Sequence, residues 1–394
     1  MLKQLGALVF IGLRSVPQRL GSSSVIVIGI AGVVAVLVSV MAMAGGLRKA
    51  FVETGHADRA IVLRDGASAE SVSTLSVEQA ATIAGAPGVM RSADGRALAS
   101  SELVVAANVR RRSSGSLTGV AVRGIGPEAW LIRPELQIVS GRAFTPGLRE
   151  LVVGRAAQKQ FKGLDIGSRV TLRDGEWLIV GVVASGGDLH ESELFADVST
   201  LMSASQRATF SAVTVKLDSA ESFAAFKAAL TSDPTLSVEV MSEHDYYEKQ
   251  SQGASSLMHR AAILSGLLMA LGAVLAAFNT MYSAVSTRSV EIATLRALGF
   301  SSGGAALSVL VEALALALVG ALAGAFLAWL FFSGNTLSTV SGAFDSQIVF
   351  EIDIGRNVLP SGILVGILVG LVGGLLPAVR AARLPVSQAL RATE

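Results

Sequence analysis

The sequence predicts an α-helical membrane protein with four transmembrane helices and a large α+β extracytoplasmic domain inserted between the first and second. Three observations predict it. Four apolar windows each exceed the roughly 20 residues needed to cross about 30 Å of hydrocarbon. Hydrophobic residues make up 51% of the 394 positions and charged residues only 16%, where an ordinary soluble domain carries roughly 25% charge. A more polar stretch of about 210 residues, enough for one or two domains, separates the first window from the second.

The first window, Ser22–Leu47, lies between Arg19 and Arg48, and the second, Ala261–Thr287, between Arg260 and Arg288. The third follows Arg296, is broken only by Glu312, and ends near Trp329 or Phe332. The fourth, Asn357–Val379, lies between Arg356 and Arg380. The spans are placed at 22–47, 261–286, 305–333 and 357–379. An even number of spans puts both termini on one side. Lys3, Arg14 and Arg19 before span one, Arg288 and Arg296 in the 287–304 loop, and Arg380, Arg383 and Arg391 in the 380–394 tail mark the cytoplasmic side by the positive-inside rule. Asp345, Glu351 and Asp353 stand against a single Arg356 in the short 334–356 loop, which is placed outside together with 48–258. Ala42-Met43-Ala44 mimics a signal-peptide cleavage site, but the leader before it is too long and the apolar run too extended for one; span one is read as retained. Residues 1–20 carry Leu2, Leu5, Val9, Leu13, Val16 and Leu20 at spacings of three or four, an amphipathic helix for the cytoplasmic interface.

Within 48–258, strands are predicted at Arg59–Arg64, Glu102–Arg110, Gly119–Gly124, Glu150–Val153, Arg169–Leu172, Trp177–Val183, Ala212–Leu217 and Ser237–Met241, which are rich in Val and Ile. Helices are predicted at Ser76–Ala84, Arg155–Phe161, Ser199–Ala204 and Ala220–Leu230, with Ser76 and Ser199 as N-caps. A lobe is inserted at about 130–207. Residues of about 242–260 read as a helical stalk continuous with span two, unless Gly253 opens a loop there.

The chemistry the sequence excludes is extensive. With no Cys there is no disulfide, Cys zinc site or thiol nucleophile, and a net charge of +2 excludes a nucleic-acid binder read by charge. No Gly-Lys dipeptide exists, so there is no P-loop. Gly124-Ile-Gly126-Pro-Glu-Ala129 mimics a dinucleotide fingerprint without the βαβ context, and reads as a turn. His190-Glu191-Ser-Glu193 is the one His/carboxylate cluster, weighed as a metal site against a solvated loop, with the loop preferred. Arg110-Arg111-Arg112 is read as a solvated hairpin tip ahead of a contact to anionic head groups or a partner. No catalytic, cofactor-binding or metal residue is assigned, and the chain is not expected to be an enzyme.

The informative positions lie in and beside the spans. Ser289–Leu298 has a helical pattern in which Ile292, Leu295 and Leu298 share an apolar face, with Gly299 as the C′ residue. A helix this short needs something to dock on, either a partner or its own membrane helices. Glu312 inside span three must face the bundle or sit at the interface, with Asn279 as a candidate polar partner. Gly362, Gly366, Gly370 and Gly374 form a smooth stripe on span four that invites close helix packing, and Gly320 and Gly324 repeat it in span three.

These stretches resemble the MacB/FtsX-type ABC transporter permeases, which include the LolC and LolE proteins. The run Ala277-Phe-Asn-Thr-Met-Tyr-Ser-Ala-Val-Ser-Thr-Arg-Ser-Val-Glu-Ile-Ala-Thr-Leu-Arg-Ala-Leu-Gly-Phe300, continuing to Val311-Glu-Ala313, is similar to the family's "N-T-M…R…E-I…L-R-A-L-G…E-A" signature. Leu376-Pro-Ala-Val-Arg-Ala-Ala-Arg-Leu-Pro-Val-Ser-Gln-Ala-Leu-Arg391 is similar to its C-terminal ending. Ser140-Gly-Arg-Ala-Phe144, Glu150-Leu-Val-Val-Gly154 and Leu178-Ile-Val-Gly-Val182 resemble its periplasmic core. The resemblance implies a multi-pass protein of the bacterial inner (cytoplasmic) membrane that works with a cytoplasmic ABC ATPase dimer and a second permease copy or homologous permease. A periplasmic adaptor and membrane lipid are further partners it suggests; nucleic acid is not one. It implies that Glu291, Ile292, Leu295, Arg296 and Leu298 form the ATPase-coupling helix. This chain lacks the ATP-binding domain fused in MacB itself, so ATP and Mg would be bound by the partner. The function implied is coupling of ATP hydrolysis to conformational change outside the membrane, driving export of hydrophobic or peptide-like cargo or extraction of a lipoprotein or lipid. The alternative is an FtsX-like regulator that transports nothing and switches a cell-wall hydrolase.

Overall fold

A computed structural model describes residues 20–172, 175–298, 301–341, 346–352, 354–355 and 357–383. The expected N-terminal amphipathic helix, the Gly299 cap and the end of the C-terminal motif lie outside these residues. Two compact units form, one of Met1–Gly45, Leu257–Asn335 and Ile352–Glu394, the other of Gly46–Ser256 and Thr336–Glu351.

In chain order the helices are α1 (Leu20–Thr54), α2 (Val77–Ala84), α3 (Ala129–Ile132), α4 (Arg155–Gln160), α5 (Val198–Ser205), α6 (Phe223–Thr231), α7 (Glu243–Thr287), α8 (Ser289–Ala297), α9 (Ser302–Phe332) and α10 (Val358–Arg383). Four of them contain segments long and apolar enough to cross a membrane: Ser23–Thr54, Arg260–Thr287, Ser302–Phe332 and Val358–Arg383. The first helix continues past the predicted end at Leu47, because nothing between Arg48 and Thr54 breaks it. The 45 residues of α7 extend roughly 67 Å at about 1.5 Å per residue, and Gly253 does not interrupt them.

The helical unit packs through small residues. Its core holds Ile30, Val34 and Val38 of α1, Ala273, Ala277 and Met281 of α7, Ala313, Ala317 and Ala321 of α9, and Val369 and Ala378 of α10. Leu264, Leu267, Leu268, Leu271 and Leu275 of α7 are exposed in the single chain, as suits helices surrounded by lipid.

In the other unit, β1 (Arg59–Arg64), β2 (Ala99–Arg110), β3 (Leu117–Ile125), β4 (Gln137–Gly141), β5 (Glu150–Gly154), β6 (Arg169–Leu172), β7 (Gly175–Ala184), β8 (Leu194–Asp197), β9 (Ala212–Lys216) and β10 (Val238–Ser242) form one sheet. Its order is β10-β1-β9-β2-β3-β8-β5-β7-β4, with β6 on β7. The β3–β8 and β5–β7 pairs are parallel. β2 joins two halves: one face of the β10-β1-β9 half packs on α2 and α6 through Val62, Ile83, Val213 and Phe226, and the other half buries Leu103, Val122, Phe161 and Trp177.

Three local expectations change. The cap of α5 is Asp197, whose Oδ2 accepts from Thr200 N at 2.9 Å, not Ser199; Ser76 caps α2 in a capping box with Gln79. Strands β4 and β8 were absent from the sequence pattern because each is short and paired on the strength of its neighbours. The 334–356 segment is not a plain loop: Thr336–Ser341 and Ser346–Glu351 form a hairpin, β11 and β12. It is clasped to the α/β unit where Ser192 Oγ donates to Val349 O at 3.0 Å and accepts from Val349 N at 2.9 Å.

Candidate functional site

Two places gather the polar residues that the fold does not need for solubility. The first is the turn after α7. Arg288 precedes α8 and its guanidinium donates to Glu291 at 3.1 Å and to Glu312 of α9 at 3.3 Å. Glu312 is buried, so a carboxylate that is expensive inside an apolar bundle is met by a cation from the adjoining turn. The partner is Arg288 and not Asn279, which lies on the exposed face of α7. Along α8, Ala293 is fully buried, Ile292 packs inward on the bundle core, and Arg296 is half-buried. Glu291 and Leu298 turn outward, Leu298 being 73% exposed. For Leu295 the backbone places it in α8. Of the apolar face read from the sequence, then, Ile292 is used within the chain and Leu298 is left over.

The glycine stripe of α10 is buried along its length. A Cβ on Gly366 would stand 2.7 Å from Ala321 Cβ, and one on Gly374 2.6 Å from Ala313 Cβ. Gly370 faces Ala317, and Gly362 faces Val38 of α1. The stripe is therefore a packing surface against α9 and α1, and the side chains it meets there, Ala321, Ala317, Ala313 and Val38, are apolar.

The second place is a buried ion cluster on one face of the β-sheet. Strand register builds it. In β2 and β3, Leu103, Val105, Val120 and Val122 point to the apolar core, so Glu102 and Arg123 must point the other way. Arg59 and Thr214 alternate likewise with Ala60 and Val213. β10 ends at Ser242, paired with Ala60, so Glu243 at the start of α7 arrives beside Arg59. The parallel β3–β8 pairing sets Glu193 next to Arg123.

Arg123 is the hub. Its Nε and Nη2 hold Glu193 at 2.8 and 2.9 Å, its Nη1 and Nη2 hold Glu70 at 2.8 and 3.0 Å, and its Nη1 holds Glu102 at 2.7 Å. Arg133 bridges Glu102 at 2.5 Å, Thr214 at 3.2 Å and Glu243 at 3.2 Å. Arg59 holds Glu135 with two bonds, 2.6 and 2.8 Å, and reaches Glu243 at 3.4 Å. His190 Nδ1 lies 2.8 Å from Glu193.

The turn Leu189–Ser192 that carries His190 is buried, not solvated. It is seated by three devices. Glu191 accepts from the backbone N–H groups of Ser185, Gly186 and Gly187 at 3.0, 3.2 and 3.2 Å, a concave nest that the positive φ of both glycines permits. Gly154 lies so close to the Glu191 backbone that no side chain fits there. Thr54 Oγ1, at the end of α1, accepts from Leu189 N at 3.0 Å. No group of three His, Asp or Glu among the described residues is arranged to hold a metal ion; the acids are spent on guanidiniums.

Burial pushes the Glu193 carboxyl up, but Arg123 and His190 outweigh it and hold it well below the usual range. Burial likewise opposes ionisation of Glu102, and Arg133 with Arg123 overcome it. Burial pushes His190 down, while Glu193 and Asp188 more than offset this and raise it. Burial raises both Tyr246 and Tyr247, which line the cluster.

Arg110-Arg111-Arg112 is not a free tip. Arg111 donates to Gln347 and, at 2.9 Å, to Ser338 of the hairpin, and Arg112 pairs with Asp165 at 2.9 Å. The cluster itself escaped sequence reasoning. Its signal is an Arg inside Val120-Ala-Val-Arg-Gly-Ile125 and a Glu opening Glu102-Leu-Val-Val105, charges embedded in apolar strands.

Residues 23–233 match the family model for the MacB-like periplasmic core domain, and residues 263–386 match that for the FtsX-like permease C-terminal region. The chain belongs to the MacB/FtsX-type ABC transporter permeases. Neither matched module of this permease is an ATPase domain. Among solved structures, the permease is similar to the extracellular domain of the noncanonic ABC-type transporter YknZ from Gram-positive bacteria, at 18% identity over 46% of this chain and 99% of that one, TM-score 0.35. It is similar to the periplasmic region of MacB from Actinobacillus actinomycetemcomitans at 14% identity, covering 49% and 92%, TM-score 0.37. A domain of a putative permease protein from Porphyromonas gingivalis is similar at 12% identity, covering 46% and 88%, TM-score 0.32. A search of the curated proteins found no match. The permease is a multi-pass membrane protein with a large α/β domain between its first and second membrane helices.

Proposed function

We propose that this permease couples ATP hydrolysis by a separate cytoplasmic ATPase dimer to conformational change in its α/β domain. The work done would be export of hydrophobic or peptide-like cargo, or extraction of a lipoprotein or lipid. The observation that carries the reading is α8: a nine-residue helix set by Arg288 against Glu291 and Glu312, following the unbroken α7 and offering Leu298 outward. A helix so short is not stable by itself, and an exposed Leu at its end is suited to a partner's cleft. In this reading α8 and both termini are cytoplasmic, and the α/β domain lies outside the inner membrane. ATP and Mg belong to the ATPase, and a second permease copy or homologue completes the assembly.

Isolation of the permease with its co-purifying chains tests the proposal. Burying a Leu side chain contributes roughly 1.5–3 kcal/mol, so Leu298→Asp is expected to release the ATPase while the permease stays folded. Retention of the ATPase by that variant counts against the α8 assignment. Cysteines introduced singly for Ser301 and Ser114 are expected to label from opposite sides of the membrane. ATP-dependent movement of a lipopeptide out of reconstituted vesicles supports transport; ATP hydrolysis with no such movement supports the FtsX-like regulator.

A further inference from the structure

The three buried guanidiniums of the ion cluster are not equally satisfied. Arg123 uses all its N–H directions in five hydrogen bonds of 2.7–3.0 Å. Arg59 and Arg133 each leave Nε buried with no partner. These two are the guanidiniums that hold Glu243, the first residue of α7. Glu243 is fully buried, and its contacts to Arg133 at 3.2 Å and Arg59 at 3.4 Å are the longest guanidinium–carboxylate contacts in the cluster; it also accepts from His56 N at 3.4 Å.

The charge count points the same way. Glu70, Glu102, Glu135, Glu193 and Glu243 meet the guanidiniums of Arg59, Arg123 and Arg133, with His190 beside Glu193 and His56 Nε2 4.0 Å from Glu135. The five carboxylates outnumber the three guanidiniums. Withdrawal of Glu243 reduces that excess. It also strands neither guanidinium, since Arg59 keeps its two-bond pair with Glu135 and Arg133 keeps Glu102 at 2.5 Å. Withdrawal of any carboxylate from Arg123 would open a saturated hub. A buried ion cluster is weak support for stability, and a switch or register role is its best-attested use.

The position of Glu243 gives its release a consequence. Arg59 belongs to the β10-β1-β9 half of the sheet, whereas Arg133 follows α3 and, through Glu102 and Arg123, reaches the turn Leu189–Ser192 of the other half. Gly55 fits against Glu243 and His244 with no room for a side chain, so the end of α1 bears on the same point.

We propose that Glu243 is a releasable positioning residue, holding the start of α7 to both halves of the sheet in one state and letting go of Arg59 and Arg133 in another. Resting on the coupling reading above, a displacement of α7 is converted at this joint into movement of the second half of the sheet against the first. The joint has two arrangements because each arginine has a second carboxylate to fall back on.

The test uses the full-length permease with its co-isolated ATPase in nanodiscs. The chain has no native Cys, so spin labels at Lys227→Cys and Lys162→Cys report the distance between the two halves. Distances are compared without nucleotide and with ATP. The wild-type background is expected to change distance with ATP, and Glu243→Gln, which keeps the shape and loses the charge, is expected to hold one distance in both conditions while the ATPase stays bound. A wild-type distance indifferent to ATP would sink the coupling reading and the joint together. A Glu243→Gln distance that responds as wild type does overturns the joint and leaves the coupling reading standing. Glu243→Met serves where the Gln variant folds poorly: stability kept with the ATP response lost is the expected result, because a purely structural residue would lose both or neither. Failure of both variants to fold makes Glu243 a structural residue and overturns the proposal.

Discussion

Between α9 and α10 the contact is made by what is missing. Gly366, Gly370 and Gly374 meet Ala321, Ala317 and Ala313, and the backbones come together because no side chain keeps them apart. Between β2, β3 and the Leu189–Ser192 turn, the contact is made by Arg123 and three carboxylates, all deep in the unit. Both regions are buried. In lipid there is no hydrophobic drive to associate, and close packing has to supply the attraction. In the α/β unit the hydrophobic effect has already been supplied by clusters such as Leu103, Val122, Phe161 and Trp177, and directional bonds are added where the halves meet. Glycine contact holds two helices in a fixed register; ion contact leaves alternatives, since a guanidinium can exchange one carboxylate for another.

The largest effect is expected from removing the hub. Arg123→Met leaves Glu70, Glu102 and Glu193 buried against each other, and breaking a buried pair costs about 3–5 kcal/mol. Denaturant unfolding of the full chain in detergent should show loss of the α/β transition, whereas Arg169→Gln, in an exposed pair with Glu176, should leave it in place. Equal behaviour of the two variants would erase the contrast between the regions.

Gly370→Leu comes next. Overpacking costs typically about 1–3 kcal/mol, and here the added side chain meets Ala317 directly. A lower melting point and reduced coupled activity are expected, with exposed Leu364→Ile as the unaffected control. If Gly370→Leu melts with the control, the stripe does not carry the packing.

Ser192→Ala sharpens the comparison at the hairpin. It strips both partners from the buried N–H and C=O of Val349, and each unsatisfied buried group costs about 1–3 kcal/mol, less where water enters. Faster hydrogen exchange across Ser346–Glu351, with little change in the membrane helices, is the expected reading.

The smallest effect is a pH dependence confined to the α/β unit. His190 is raised above its ordinary value of 6.5, so its contribution is fully present below that pH and lost as pH rises through the raised value. Glu193 and Glu102 are held below their ordinary 4.5, so theirs is present above 4.5 and lost as pH falls. The melting point of the wild type should therefore decline on raising pH from 6.5, and His190→Gln should remove that decline while keeping the acid limb. A flat wild-type profile would mean that His190 is not protonated in the cluster.

Much of this was legible in advance. Uncharged windows bounded by arginines mark the spans, because one long apolar run is enough to identify a helix in lipid. Alternating Val and Ile mark β1, β5 and β9, because one face of each is a continuous core. The capping box at Ser76 and Gln79 is a local exchange of two hydrogen bonds and can be read from four residues. The spacing of Gly362, Gly366, Gly370 and Gly374 puts them on one face whatever they touch. What failed was partner choice: Glu312 with Arg288 instead of Asn279, Arg111 with the hairpin instead of solvent, and His190 with Glu193 inside instead of in water.

The sequence by itself determined which segments are helices in a membrane, where the Val- and Ile-rich strands such as β1, β5 and β9 run, and that the chain carries no Gly-Lys dipeptide for a P-loop, since each depends on residues near one another in the chain. Only the tertiary structure decided where the charges go. Glu70, Glu102, Arg123, Arg133, Glu193 and Glu243 are scattered over more than half of the α/β unit. Apart from Glu102 and Arg123, which sit in apolar strands, nothing in their sequence neighbours marks them as buried. Strand order and register bring them to one face of one sheet, and a charge finds its partner through space, where sequence separation sets no limit.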